Sequence, residues 1–256
     1  LCRRMEAAHA RRLVLGISGG LDSTLALLVI ARALDEARRP RSDALAVTMP
    51  CFGTTERTKS NATILCEELG VDFRTVDIFD AVNIHFRDIG HDPDDLNVTY
   101  ENSQARERTQ LLMDVANREN AIVIGTGDLS ELALGWATYN GDHMSMYGVN
   151  ASVPKTFVRH LVTWIAGQEA YKSVRAALLD IVDTPISPEL IPADEAGNIK
   201  QKTEDLVGPY ELHDFFLYNL LRLGFGPAKI MYLARHAFAG QYTDDVIRHW
   251  LQTFCR

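Results

Sequence analysis

The chain has 256 residues, of which 46% are hydrophobic and 23% charged, as expected for a globular protein with a sizeable core. Its 34 acidic against 26 basic residues give a net charge of −8, which argues against a nucleic-acid partner, because phosphate backbones bind basic faces. No stretch approaches the roughly 20 apolar residues of a membrane span, so we expect no membrane partner. The four cysteines lack zinc-binding spacing, and such scattered thiols predict a reducing, cytoplasmic location.

The first half of the chain alternates apolar, strand-like runs with helical runs. We predict strands at 13–17, 44–50, 73–78 and 121–127, and helices at 21–38, 56–70 and 100–120. The strand runs are apolar throughout, which is typical of a parallel sheet covered by helices on both faces. The predicted fold class is therefore α/β, with a doubly wound parallel sheet.

From about residue 155 the pattern contains helices alone, and the last fifty residues predict three short ones. Between them, residues 183–201 contain three prolines and are too long for an ordinary connection. We predict that this stretch, continued to residue 210, is a lid that excludes water from a bound ligand. The whole chain, 1–256, is expected to be one α/β domain with a helical C-terminal extension.

The stretch "LGISGGLDST" (15–24) lies where the first predicted strand turns into a helix. Backbone N–H groups and the positive end of a helix meet at such a point, and glycines let the backbone approach an anion. A phosphate cradle is the favoured interpretation, although no Walker A or G-x-G-x-x-G pattern is present. Two alternatives remain open: a turn without a ligand, and the G-x-S-x-G elbow of hydrolases with Ser18 as nucleophile.

The six residues "SGGLDS" (18–23) resemble the pyrophosphate-binding loop of the PP-loop ATP pyrophosphatases, a superfamily of adenine nucleotide alpha hydrolase-like fold. Five further blocks, in order along the chain, resemble the synthetase domain of bacterial glutamine-dependent NAD⁺ synthetases. They are "TMPCFGTTERT" (48–58), "YENSQARERTQLLM" (100–113), "IGTGDLSELALGWATYNGD" (124–142), "NASVPKT" (150–156) and "QKTEDLVGPYELHDFFL" (201–217).

The resemblance implies a carbon–nitrogen ligase that amidates deamido-NAD⁺, the nicotinate dinucleotide, to NAD⁺. ATP first converts the substrate carboxylate into an acyl adenylate and releases pyrophosphate. Ammonia then attacks and AMP leaves. Negative charge builds up in the first step, so cations such as Mg²⁺ are expected at the site.

Specific roles follow from the resemblance. It places Mg²⁺ on Asp22 and Glu131, and gives Asp22, Glu131 and Lys155 catalytic roles. The residues implied to bind ATP are Gly16, Ile17, Ser18, Gly19, Gly20, Leu21, Asp22, Ser23, Thr48, Met49, Arg57, Thr126 and Lys155. Those implied to bind deamido-NAD⁺ are Asn102, Arg106, Glu131, Trp136, Ala137, Thr138 and Tyr139. Ser187 in the predicted lid is a loosely aligned further contact to ATP.

The relatives of this type carry an N-terminal amidohydrolase domain that supplies ammonia from glutamine. Nothing in the sequence resembles that domain, so we expect a synthetase domain on its own that uses free ammonia. The resemblance also implies a homo-oligomer. The alternatives are another PP-loop amidating or thiolating ligase, such as a GMP synthetase or a tRNA-modifying enzyme, and a nucleotide-binding regulatory domain without turnover. The regulatory alternative would not need the second acidic residue, Glu131.

Overall fold

The computed structural model describes residues 1–141, 143–187, 190–192 and 203–256. Its strands are β1 (Arg12–Gly16), β2 (Ala44–Thr48), β3 (Asp72–Thr75), β4 (Ala121–Gly125) and β5 (Tyr147–Gly148). Its helices are α1 (Cys2–Ala7), α2 (Leu21–Glu36), α3 (Glu56–Leu69), α4 (Phe79–Ile89), α5 (Val98–Glu119), α6 (Leu129–Leu134), α7 (Lys155–Ala166), α8 (Arg175–Val182), α9 (Thr203–Val207), α10 (Tyr210–Leu223), α11 (Pro227–Ala237) and α12 (Asp244–Phe254). In these ranges, no helix has the length and apolar character that crossing a membrane requires.

The strands form one parallel sheet in the order β3-β2-β1-β4-β5. The chain builds outward from β1 through β2 to β3, and then returns to the other side of β1 to add β4 and β5. The order therefore reverses between β1 and β4, where open α/β sheets leave a crevice at the carboxyl ends of the strands. This arrangement confirms the predicted doubly wound α/β fold.

Two apolar clusters cover the two faces of the sheet. Leu13 and Leu15 of β1 point into the larger one, beneath α2, α3, α7 and α8. Val14, between them, points into the other, together with Phe86 of α4 and Tyr100 of α5. Successive residues of a strand face opposite sides, so a sheet buried on both sides needs apolar residues at every position. Burial on both faces of the sheet explains the unbroken apolar runs in the sequence.

The predicted helices at 21–38 and 56–70 are confirmed, the latter ending at Gly70 in the left-handed region, with φ +70°. The predicted strand at 73–78 is shorter, because pairing with β2 ends at Thr75 and the chain then turns into α4. Helix α4 was not predicted. It buries Val82 and Phe86, one turn apart, and leaves the apolar side chains of Phe79, Ile84 and Ile89 exposed.

The three helices predicted at the C-terminus are α10, α11 and α12, and they share a small core of their own. The predicted lid is described only in part. Residues 183–187 and 190–192 lack regular structure, 203–207 form α9, and the remaining residues of the segment lie outside the described ranges. A hydrogen bond of 2.9 Å from Gln104 Nε2 to the carbonyl of Leu190 anchors the described part to α5. Lid closure stays a prediction.

The turn between β1 and α2 packs tightly against the first turn of α3. Gly19 has φ +85°, and a Cβ atom built there would lie 2.0 Å from the carbonyl oxygen of Thr58. Gly20 does not share this constraint: its φ is −86°, and the atom nearest to a Cβ would be Ser18 Oγ, at 3.2 Å. Of these two glycines, Gly19 is the one that the fold requires.

We therefore expect Gly19→Ala to lower the free energy of unfolding by at least about 2 kcal/mol, since positive φ and a clash with backbone act together. Gly20→Ala, the matched control, should lower it by about 1 kcal/mol or less, because Ala is only a poorer helix N-cap than Gly. Urea denaturation of both variants measures the difference. Equal losses would contradict the packing described for this turn.

Candidate active site

The β1–α2 turn is held by hydrogen bonds among its own serines and glycines. Ser18 N–H donates to Ser23 Oγ at 3.3 Å, Gly20 N–H donates to Ser18 Oγ at 3.1 Å, and the Ser23 hydroxyl donates to the Gly20 carbonyl at 3.1 Å. These hydrogen bonds fix the conformation of the loop. Helix α2 has Gly20 as its N-cap and no side-chain cap, so the amides of its first turn remain available to a ligand.

The hydrolase interpretation of Ser18 requires a histidine within hydrogen-bond reach. The described partners of the Ser18 hydroxyl are the Ser23 hydroxyl, at 3.1 Å, and the Gly20 amide. Neither can act as a general base for a nucleophilic serine. The geometry favours a phosphate cradle over a hydrolase elbow, and we call residues 15–24 the phosphate loop.

Lys155 lies at the centre of the site, surrounded by three carboxylates. Its Nζ is 2.6 Å from Asp22 Oδ2, 2.8 Å from Glu131 Oε1 and 2.9 Å from Asp128 Oδ2. The Lys155 side chain is 2% exposed and that of Asp128 is fully buried. We call these four side chains the lysine–carboxylate cluster. Two of the carboxylates, Asp22 and Glu131, and the lysine are residues that the sequence predicted.

Local structure at the end of β4 brings Asp128 and Glu131 together. Asp128 is the N-cap of α6, and its Oδ1 accepts a hydrogen bond of 2.8 Å from Glu131 N–H. Glu131 Oε2 in turn accepts a bond of 3.4 Å from Asp128 N–H. This reciprocal capping box fixes both carboxylates toward Lys155. The sequence analysis missed Asp128, although D-x-x-E after a predicted strand is the signal of such a box.

Asn150 is a second residue that the sequence analysis missed. Its Nδ2 donates to the carbonyl of Asp22 at 2.9 Å and to the carbonyl of Thr126 at 3.0 Å. It therefore ties the phosphate loop to the end of β4. Nothing in the local sequence pattern indicates this contact, because it joins segments that are distant along the chain.

The lysine–carboxylate cluster has fewer positive than negative groups. Burial raises the pKa of Asp22, and it raises the pKa of Glu131 to about 7 with a further contribution from the Asp22 charge. Burial works to lower the pKa of Lys155, but the surrounding carboxylates hold that pKa well above its usual range. One ammonium group faces three carboxylates, so two negative charges lack compensation when all are ionised.

A divalent cation would compensate the two excess negative charges of the cluster. Asp22, Asp128 and Glu131 each offer a carboxylate oxygen, and these oxygens lie within 4.8 Å of one another. The buried Oδ1 of Asp22 has no hydrogen-bond partner among the described residues. Carboxylate oxygens are hard ligands of the kind that Mg²⁺ prefers. The donor set is therefore suited to the magnesium ion that the sequence predicted.

A cavity of about 510 Å³ opens in front of the cluster, at the carboxyl ends of β1, β2 and β4. Most of the predicted site residues line it. They are Gly16, Ile17, Ser18, Gly20, Leu21, Asp22, Ser23, Thr48, Met49, Asn102, Thr126, Glu131, Trp136, Ala137, Thr138 and Ser187. Helix α6 ends at Gly135, with φ +64°, and the chain then turns so that residues 136–138 reach the cavity wall.

The other predicted site residues are not in the cavity wall. Gly19 packs on α3, and Lys155 lies behind the carboxylates that it pairs with. The Arg57 guanidinium pairs with Asp180 of α8, with Nε 2.9 Å from Oδ2. Arg106 Nε donates to the carbonyl of Tyr139 at 3.1 Å, and the Tyr139 side chain is 71% exposed.

Comparisons with known proteins identify the family of the chain. A family model described as NAD synthase matches residues 1–195. The glutamine-dependent NAD(+) synthetase of Mycobacterium leprae (strain TN) is 47% identical over 274 residues, covering 98% of this chain and 40% of that protein. The NH(3)-dependent NAD(+) synthetase of Hyperthermus butylicus is 33% identical over 225 residues, covering 87% of this chain and 73% of that protein.

A solved structure, of the glutamine-dependent NAD⁺ synthetase from Acinetobacter baumannii in complex with adenosine diphosphate, shares the fold. Its TM-score is 0.63 at 24% identity, covering 98% of this chain and 41% of that one. The chain spans about 40% of the length of the mycobacterial relative that it matches. Because the family model covers most of its residues, and a relative is matched over most of both lengths, the chain belongs to the NAD synthase family.

Proposed function

We propose that this chain catalyses the ATP-dependent amidation of deamido-NAD⁺ to NAD⁺ through an acyl adenylate. The observation that carries the proposal is the lysine–carboxylate cluster beside the phosphate loop, where carboxylates suited to a metal ion and backbone amides suited to an anion lie at one cavity. The reaction needs both the carboxylates and the amides, because ATP and deamido-NAD⁺ each bring negative charge to the reacting centre.

The chemistry has two steps. A carboxylate oxygen of deamido-NAD⁺ attacks the α-phosphorus of ATP, and the bond from that phosphorus to pyrophosphate breaks. Ammonia then attacks the carbonyl carbon of the acyl adenylate. AMP leaves with the former carboxylate oxygen, and the nitrogen loses a proton to become the amide. No serine or cysteine nucleophile is needed, in agreement with the hydrogen bonds of Ser18.

The phosphate loop would bind the triphosphate. Its backbone amides, with the hydroxyls of Ser18 and Ser23, would donate hydrogen bonds to the leaving pyrophosphate. Thr48 and Met49, at the end of β2, line the same cavity and would receive the adenine. Thr126, at the end of β4, would contact ATP from the opposite side of β1.

Asp22 and Glu131 would hold Mg²⁺, with Asp128 as a third carboxylate beside them. When bound, the ion would neutralise charge on the phosphates as pyrophosphate leaves. Lys155 keeps the carboxylates close together and carries a positive charge, because its Nζ forms ion pairs with all three carboxylates and hydrogen bonds with Asp22 and Glu131. Its role in the proposal is electrostatic.

Deamido-NAD⁺ would occupy the part of the cavity formed by Asn102, Glu131 and residues 136–138. Arg106 and Tyr139 are proposed to act at its edge, because their mutual hydrogen bond fixes the segment that follows Trp136 against α5. Arg57 would have to leave Asp180 in order to reach a phosphate. It is therefore the weakest of the proposed ATP contacts.

The ammonia source is proposed from the names of the relatives. The mycobacterial relative is a glutamine-dependent enzyme, and the one from Hyperthermus butylicus is NH(3)-dependent. We propose that the present residues use free ammonia, and that a glutaminase domain supplies it from glutamine in a longer protein. A homo-oligomer is part of the same proposal. The alternative function is that of another PP-loop amidating or thiolating ligase.

We expect the chain, given ATP, Mg²⁺, ammonium and deamido-NAD⁺, to produce NAD⁺, AMP and pyrophosphate in equal amounts. XMP, the substrate of a GMP synthetase, should release no pyrophosphate. Glutamine should not replace ammonium, and the rate should rise with pH because only NH₃ is nucleophilic. Product chromatography with a coupled pyrophosphate assay measures all of these outcomes. Turnover of XMP in place of deamido-NAD⁺ would favour the alternative ligase.

Asp22→Asn and Glu131→Gln should each lower kcat by about 10²–10³-fold, the usual cost of losing one preorganised electrostatic contact. Far-UV circular dichroism should stay unchanged. Asp35→Asn is the matched control, since Asp35 lies on the same helix as Asp22 but pairs with Arg41 at 2.7 Å. It should retain turnover. Near-normal turnover by either cluster variant at saturating Mg²⁺ would rule out the proposed roles.

A further inference from the structure

Helix α7, which begins with Lys155, lacks a side-chain cap from its own chain segment. Its N-cap is Pro154, which has no hydroxyl, amide or carboxylate to accept from the first amides of the helix. Uncapped and buried amides at a helix start are costly, so their partners must come from elsewhere. This helix start matters because it sets the position of the buried ammonium group.

The partners come from α6 and α10. Lys155 N–H donates to Ser130 Oγ at 2.9 Å, and Thr156 N–H donates to Asp214 Oδ2 at 2.8 Å. Asp214 Oδ2 also accepts from the Thr156 hydroxyl at 2.6 Å, and Asp214 Oδ1 accepts from the Ser130 hydroxyl. Asp214 thus caps α7, although it lies 58 positions along the chain from Thr156, whose amide donates to it.

The Asp214 carboxylate bonds to the chain neighbours of two members of the lysine–carboxylate cluster, Glu131 and Lys155. Ser130 directly precedes Glu131 in the first turn of α6, and Thr156 directly follows Lys155 in the first turn of α7. Asp214 is 7% exposed and Ser130 is 1% exposed, so water cannot easily replace these bonds. The negative charge of Asp214 also lies at the positive end of α7, where it is favourable.

We propose that Asp214 is a positioning residue, which couples the C-terminal three-helix extension to the active site by fixing Glu131 and Lys155 relative to each other. It does not touch the cavity. Its effect on the reaction rests on the proposed function, because fixing Glu131 and Lys155 changes the rate only if the lysine–carboxylate cluster takes part in the reaction. The substitution Asp214→Asn keeps the shape of the side chain but removes its charge and places an NH₂ donor against groups that already donate.

The experiment measures three quantities for Asp214→Asn. They are Mn²⁺ affinity by electron paramagnetic resonance, amide exchange of the segment 150–158, and the kinetics with deamido-NAD⁺. We expect the Kd for Mn²⁺ to rise and kcat to fall by about tenfold each, with KM for deamido-NAD⁺ within about twofold, as for loss of a group that acts only on the reacting centre. Exchange in 150–158 should accelerate by about tenfold, since the cap of α7 is weakened.

Asn219→Ala is the matched control. Asn219 lies on the same helix and is also buried, but its side chain bonds within α10, to the carbonyl of Phe215 at 2.8 Å. It should lower the Tm without changing Mn²⁺ affinity or exchange in 150–158. Equal effects of the two variants on Mn²⁺ affinity, at a similar loss of Tm, would overturn the positioning role.

Ser130→Ala decides the matter if Asp214→Asn does not fold, because it removes the hydroxyl that bridges the Lys155 amide and Asp214 Oδ1 and changes no residue of α10. Wild-type Mn²⁺ affinity in Ser130→Ala would overturn the proposal, and a weakened affinity would support it. Failure of the wild type to make NAD⁺ would refute the proposed function instead. The Mn²⁺ and exchange measurements would still decide the role of Asp214.

Discussion

The pairing of one buried ammonium group with three carboxylates is the interaction on which the rest of the site depends. Burying charges such as those of Lys155 and Asp128 is expensive, and a buried ion pair is tolerated only when its geometry and hydrogen bonds are good. Here the Lys155 bonds are short, and Asp128 and Glu131 are also held by their capping box. The remaining excess of negative charge is what suits the cluster to the proposed cation, since an electrically balanced cluster would have no need of one.

The parallel sheet explains how residues that lie far apart in sequence come to share this site. Asp22 follows β1, Asp128 and Glu131 follow β4, and Lys155 begins the helix after β5. Parallel strands end at the same edge, and the reversal of strand order between β1 and β4 leaves room between their connections. The cavity and the phosphate loop occupy that room. The three C-terminal helices lie outside the sheet. They contact the cluster directly through the Tyr210 ring of α10, whose centroid is 5.4 Å from Lys155 Nζ, and indirectly through Asp214.

Sequence patterns predicted the doubly wound sheet, because unbroken apolar runs and glycine-ended helices are local signals. The resemblance to a family also led to Asp22, Glu131 and Lys155, which the structure brings together. Asp128 could have been found from its capping box. Asp214 and Asn150 could not, because each acts on backbone groups far away along the chain. Arg57 and Arg106 carry no local signal of their partners, which are a carboxylate of α8 and a carbonyl of the 136–141 turn.

The central claim is that the carboxylate of deamido-NAD⁺ attacks the α-phosphorus of ATP in this cavity. It is tested most directly by isotope transfer, with deamido-NAD⁺ labelled with ¹⁸O at both carboxylate oxygens, and with ATP, Mg²⁺ and ammonium present. The account predicts that mass spectrometry finds one ¹⁸O atom in each AMP formed and none in pyrophosphate. Unlabelled AMP produced together with NAD⁺ would contradict it, because no bond would then have formed between the carboxylate and the α-phosphorus.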